Sequence, residues 1–96
     1  MISTEEIIKT LQAKRIDLVN NYNITKLGLF GSYARGEQTN DSDVDILVEF
    51  GKPIGMAFID LADELEKDLK LKVDLVSRKS IRQKIWGFIE QEVIYV

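Results

Sequence analysis

The feature that most limits what this chain can fold into is a strict alternation over residues 43–50. Val44, Ile46 and Val48 alternate with Asp43, Asp45, Leu47 and Glu49. A period of two puts successive side chains on opposite faces of a strand. One face of this strand is apolar and has to be covered. The other carries two carboxylates two residues apart.

The rest of the chain arranges itself about this strand. Residues 24–30 read as a shorter strand, with Leu27 and Leu29 in alternation, ended by Gly31-Ser32. Residues 36–42 are polar and read as a loop. Residues 51–55 form another, with the single proline, Pro53, between Gly51 and Gly55. Ser3-Thr4-Glu5-Glu6 fits a capping box, and Ile7, Ile8, Leu11, Leu18, Val19 and Tyr22 follow at helical spacing until Asn20, Asn21 and Asn23 end the helix. Phe58, Leu61, Ala62, Leu65 and Leu69 predict a second long helix. Residues 71–76 predict a third strand. Ser80-Ile81-Arg82-Gln83 offers a second capping box, with Ile81, Ile85 and Phe88 as one face of a last helix, and residues 93–96 a short final strand.

That order of elements implies an α+β domain, a two-layer α/β arrangement in which a small mixed sheet has its helices packed on one face. The pattern leaves the strand order open. Ninety-six residues allow one domain, spanning residues 1–96.

Composition narrows the chemistry. The chain has no His and no Cys. Ser-His-Asp triads, thiolate nucleophiles and imidazole or sulfur metal sites are excluded. Catalysis must use carboxylates, Lys, Arg, Tyr, Ser or a metal held by oxygen, which favours Mg²⁺, Mn²⁺ or Ca²⁺. Thirteen Lys plus Arg against 16 Asp plus Glu give a net charge of -3, which argues against direct nucleic-acid binding. The acidic N-terminus is not a signal peptide, and no apolar run approaches the ~20 residues that span a bilayer. The expectation is a cytoplasmic protein with no membrane association.

The informative stretch runs from Gly31 to Asp45. Gly31 and Ser32 follow a strand and open a turn whose backbone N–H groups favour an anion, and glycine lets a phosphate approach closely. The Ser32 hydroxyl adds a donor, and Arg35 adds a guanidinium fork that suits phosphate oxygens. Asp43 and Asp45 share a strand face, where they repel each other unless a cation sits between them. Asp74 lies between Val73 and Leu75 and would complete a three-carboxylate cluster if the third strand neighbours the second. Three acidic oxygens beside an anion-binding turn equip a chain for phosphoryl or nucleotidyl transfer with two metals. Each feature has an ordinary reading: a Gly-Ser turn, a polar edge strand, an Asp74–Lys72 ion pair, an Arg35 paired with Glu37 or Asp41. Their coincidence in so short a chain raises the functional reading.

Gly31-Ser32-Tyr33-Ala34-Arg35-Gly36, Ser42-Asp43-Val44-Asp45 and Val73-Asp74-Leu75-Val76 together resemble the minimal nucleotidyltransferase (MNT) family of the DNA polymerase beta-like superfamily. The resemblance covers nearly the whole chain. It implies that Gly31, Ser32 and Arg35 hold the β- and γ-phosphates of ATP. It implies that Asp43 and Asp45 ligate both of two Mg²⁺ ions (Mn²⁺ possible), and that Asp74 binds the catalytic ion and activates the acceptor hydroxyl. Family members of this size are similar to antitoxins that pair with a helical HEPN-domain toxin and transfer AMP to its tyrosine. The expected assembly is a hetero-oligomer. Two other readings remain: a small-molecule nucleotidyltransferase of the aminoglycoside-modifying kind, and a non-catalytic subunit that neutralises its partner by contact.

Arg78, Lys79, Arg82 and Lys84 form a basic run, read as a solvated face and loop or, functionally, as a partner contact or a hold on the nucleotide. Trp86 and Phe88 read as core, Tyr33 as packed under its turn, and Met56 as core or helix start. The partner surface is expected near the basic run and Tyr95, with Trp86 or Ile94 exposed.

Overall fold

Ser3 caps the first helix as its spacing predicts. Its side chain accepts from the Glu6 N–H at 3.2 Å, and the Glu6 carboxylate accepts from the Ser3 N–H at 3.4 Å. The structure, a computed structural model, describes residues 2–96. Helix α1 covers Thr4–Tyr22 and ends where Asn23 turns left-handed, at φ 57°. Strand β1 follows at Ile24–Phe30, then a five-residue helix α2 at Gly31–Arg35. Strand β2 is Val44–Phe50, helix α3 Ala57–Leu69 and strand β3 Val73–Ser77. A 3-10 turn at Arg78–Ser80 leads to helix α4, Gln83–Glu92, and a two-residue strand β4, Ile94–Tyr95.

The four strands form one sheet in the order β3-β2-β1-β4. β1 is antiparallel to both β2 and β4, while β2 and β3 run parallel, joined by α3 as a crossover. The mixed sheet expected from the sequence is present. Its apolar face carries Leu27 and Leu29 from β1 and Val44, Ile46 and Val48 from β2, all buried. Ile7, Leu11 and Leu18 of α1 and Leu61, Leu65 and Leu69 of α3 complete the same core. Tyr22 of α1 donates its hydroxyl to Glu64 of α3 at 2.9 Å, which ties the two helices together.

The second half of the chain departs from expectation in places. β3 starts at Val73, because Lys70 takes a left-handed conformation (φ 57°) to end α3 and Leu71 and Lys72 span the gap. Ser80 caps nothing: its hydroxyl donates to the Ser77 carbonyl at 2.7 Å, which closes the 3-10 turn. Extended Arg82 precedes α4 with no side-chain cap, and Gln83 accepts from Arg78 at 3.1 Å instead of reaching back. Ile81 lies outside the helix, and Ile85 and Phe88 do not form a core face, being 46% and 75% exposed. Trp86 is half-buried under the Arg78 guanidinium, 4.1 Å from its ring centroid. Ile94 is half-buried too, so neither Trp86 nor Ile94 is the exposed apolar residue. Met56 stands exposed at the start of α3. Leu47, grouped by alternation with the acidic positions, is fully buried on the opposite face from the main core. Among the described residues, no helix is long and apolar enough to cross a membrane.

Candidate active site

The parallel pairing of β2 with β3 sets Asp45 directly opposite Asp74. In-register neighbours project to the same side of a sheet. Asp43 lies two residues before Asp45, so the chain places all three carboxylates on one face, the one away from the α1 and α3 core. Asp43 and Asp74 are exposed, while Asp45 is half-buried. Lys72 makes no ion pair with Asp74 among the described residues.

Asp45 registers the density of this charge. Burial, then Asp74, Asp43 and Glu92, push its carboxyl up to about 6, with Arg35 opposing. Gly31 makes room for it. Its φ is +76°, and a Cβ there would collide with the Asp45 carboxylate. Only glycine fits both demands. Buried Gly31 thus stands against Asp45 at the start of α2, with half-buried Ser32 next in the chain. Tyr33 packs beneath them, buried as expected, and its carbonyl accepts from Thr4 Oγ1 at 2.5 Å.

Arg35 is gripped from two sides. Its Nε donates to Glu37 at 2.8 Å and its Nη1 to Glu92 at 2.9 Å. The hydrogen bond it donates to Glu37 is the largest of the influences that raise its pKa above the usual guanidinium value. Its Nη2 and the Ser32 hydroxyl have no partner among the described residues.

Glu92 is the residue that the sequence did not reveal. The same Oε2 also accepts the Gly31 N–H at 2.5 Å. It sits at the end of α4, 47 positions from Asp45, in a segment that reads simply as a helix end. No spacing or motif signals it. The only available hint was its adjacency to the short final strand, which returns the chain to β1.

The donor set is all oxygen and strongly anionic, which suits a hard divalent cation. The Asp45 carboxylate occupies the space that a Cβ on residue 31 would fill, so the bare glycine is what lets it lie against the turn. As the side chains stand, no three acids among the described residues are closed around one ion. The face is an open wall. A cleft of about 240 Å³ lined by Phe50, Pro53, Phe58 and Arg78 among others lies at the opposite ends of β2 and β3, away from this site.

A parallel β-α-β unit with acids at its strand starts and a Gly-Ser turn beside them defines a nucleotidyltransferase-like site. The nucleotidyltransferase domain family matches residues 5–96, and the chain belongs to it. It is 43% identical over 97 residues to the protein adenylyltransferase MntA of Thermococcus cleftensis, covering 100% of this chain and 98% of that one. It superposes on a solved structure described as a minimal nucleotidyltransferase with a TM-score of 0.83 at 29% identity, covering 97% of this chain and 95% of the other. It also superposes, with a TM-score of 0.60 at 26% identity, on a complex of a tri-AMPylated Shewanella oneidensis HEPN toxin with MNT antitoxin, covering 96% of this chain and 66% of that one. The fold and family expected from the motifs are those found, and the chain is an enzyme of the nucleotidyltransferase class.

Proposed function

We propose that this chain transfers AMP from ATP to a tyrosine hydroxyl of a HEPN-domain toxin and thereby acts as its antitoxin, using two Mg²⁺ ions, with Mn²⁺ as a substitute. The observation that carries this reading is the Asp45–Asp74 register pair with Asp43 on the same face, beside the Gly31-Ser32 turn. The adenylyltransferase relative and the AMPylated toxin complex support the class of donor and partner.

In this reading Asp43, Asp45 and Asp74 hold the ions. When bound, the ions neutralise charge that builds on the α-phosphate and on the departing pyrophosphate. The Ser32 hydroxyl and the Arg35 Nη2 edge hold the β- and γ-phosphates. Asp74 sits exposed at the rim, where an acceptor arrives. It takes the proton of the tyrosine hydroxyl. That oxygen bonds to the α-phosphorus as the bond from phosphorus to the bridging oxygen breaks, and pyrophosphate leaves. The chain offers one wall of a site, so the acceptor comes from a second molecule. A large protein acceptor supplies its own opposing wall, which a small molecule cannot.

Co-purification from the native source, followed by intact-mass analysis of the partner, tests the reading. A partner carrying added AMP, and lacking it when Asp43→Ala replaces the parent, is the expected result. An unmodified partner that both forms neutralise equally would favour neutralisation by contact and overturn the proposal.

A further inference from the structure

Glu92 touches both halves of the proposed phosphate turn with one oxygen: the Gly31 N–H at 2.5 Å and Arg35 Nη1 at 2.9 Å. We propose that Glu92 is a positioning residue for that turn, which fixes the Gly31 backbone and aims the Arg35 guanidinium. The inference rests on the reading above, in which the turn holds a triphosphate.

Arg35 carries five N–H donors. Glu37 takes Nε and Glu92 takes one on Nη1, both from the protein side. The Nη2 edge is left to meet phosphate oxygens. A guanidinium already held in its working orientation loses less freedom when the ligand arrives. The same contact occupies the Gly31 N–H, the donor at the point where the chain turns left-handed.

The sheet edge puts Glu92 where it is. The next residue, Val93, leads into β4, where Ile94 lies opposite Leu29 and Tyr95 opposite Gly28. The Val96 N–H donates to the Leu27 carbonyl at 2.9 Å, and Arg15 Nε donates to the Val96 carbonyl at 3.1 Å. Gly28 permits this crossing: a Cβ there would stand 2.5 Å from Val93 Cγ1. A bare position in β1 thus lets β4 lie close, and β4 delivers the Glu92 carboxylate to the turn.

A carboxylate in this place could instead compete with phosphate for the same donors. The geometry favours support, because the Ser32 hydroxyl and Arg35 Nη2 stay unengaged. The two roles predict opposite signs when Glu92 is removed.

The test uses the full chain with Mg²⁺ and a non-hydrolysable ATP analogue, by titration calorimetry. Glu92→Ala should weaken binding about tenfold, the loss expected of a charge-assisted contact. Glu92→Gln keeps an acceptor oxygen and should stay within about threefold of the parent. Glu92→Asp, one methylene too short, should resemble Glu92→Ala. In nucleotide-free protein the Gly31 amide should exchange faster in Glu92→Ala and near the parent rate in Glu92→Gln, a pattern that general loosening would not give. Gly28→Ala should weaken binding in the same direction and add little to Glu92→Ala, since both act through one contact. Thermal melts identify the folded variants, and Glu92→Gln and Glu92→Asp decide the matter if Glu92→Ala does not fold. Unchanged or tighter binding in folded Glu92→Ala and Glu92→Asp would overturn the inference while leaving the phosphate turn standing. A parent that does not bind the analogue would overturn the phosphate turn and the inference with it.

Discussion

Asp45 and Asp74 are register partners across the parallel β2–β3 pair, so two carboxylates leave the sheet side by side on its open face. Three elements make that juxtaposition: the period-two alternation of β2, the α3 crossover that returns the chain in parallel, and the left-handed Gly31 that clears space against Asp45.

Asp45 is raised from an ordinary 3.8 to about 6 by burial and by its acidic neighbours. The folded state therefore holds this proton more tightly than the unfolded chain. Its ionisation costs stability as pH rises from about 4 through 6, and the cost is fully present above that range. Asp45→Asn should then stabilise the chain at pH 8, by on the order of 1 kcal/mol once solvent screening of a half-exposed group is allowed for. The gain should vanish below about pH 4. Paired urea melts at the two pH values check it, and an equal gain at both would refute the charge argument.

Gly31→Ala should be the most damaging small substitution in the turn. It forces a left-handed conformation on alanine and drives a methyl group into Asp45. A stability loss of about 1–3 kcal/mol is expected. AMP transfer should fall well beyond what that loss explains, because the displaced carboxylate is in the site. Transfer assayed at a temperature where the variant is fully folded separates the two effects.

Core and surface should respond oppositely. Leu61 is fully buried between α3 and the sheet, and Leu61→Ala should cost about 2–5 kcal/mol. Phe88 is 75% exposed on α4, and Phe88→Ser should change stability by less than about 0.5 kcal/mol. Exposed Phe88 and Ile85 lie one helical turn apart on the element that ends at Glu92. Phe88→Ser should accordingly weaken the complex with the HEPN partner, read by titration of the purified subunits. A variant that binds the partner like the parent would exclude this face from the interface.

Much of the first half was legible because its signals are local. A capping box, an alternating strand and a glycine turn each specify structure within a few residues, and α1, β1, α2 and β2 lie where Ser3, Leu29, Gly31 and Val44 put them. The relation of Asp74 to Asp45 was conditional, since register between strands 29 residues apart depends on how α3 returns the chain. The second half, where α3, β3 and β4 also fall close to expectation, misled in places for the same reason. Ser80 has the composition of a cap, but the turn from Ser77 uses its hydroxyl first. Ile85 and Phe88 have core-like spacing, but α4 packs mainly on the short α2 and leaves both side chains exposed. Glu92 was invisible because its role is set by β4 pairing with β1, a contact between distant parts of the chain.

Reconstitution from purified parts separates AMP transfer from neutralisation by contact. The purified HEPN partner is incubated with this chain, ATP and Mg²⁺, and its intact mass is measured beside reactions with Asp43→Ala/Asp45→Ala and with a chelator. The account predicts a mass increase of one or more AMP units, located by peptide fragmentation on a tyrosine, and absent from both controls. A partner of unchanged mass, or one modified equally well by the double variant, would contradict it.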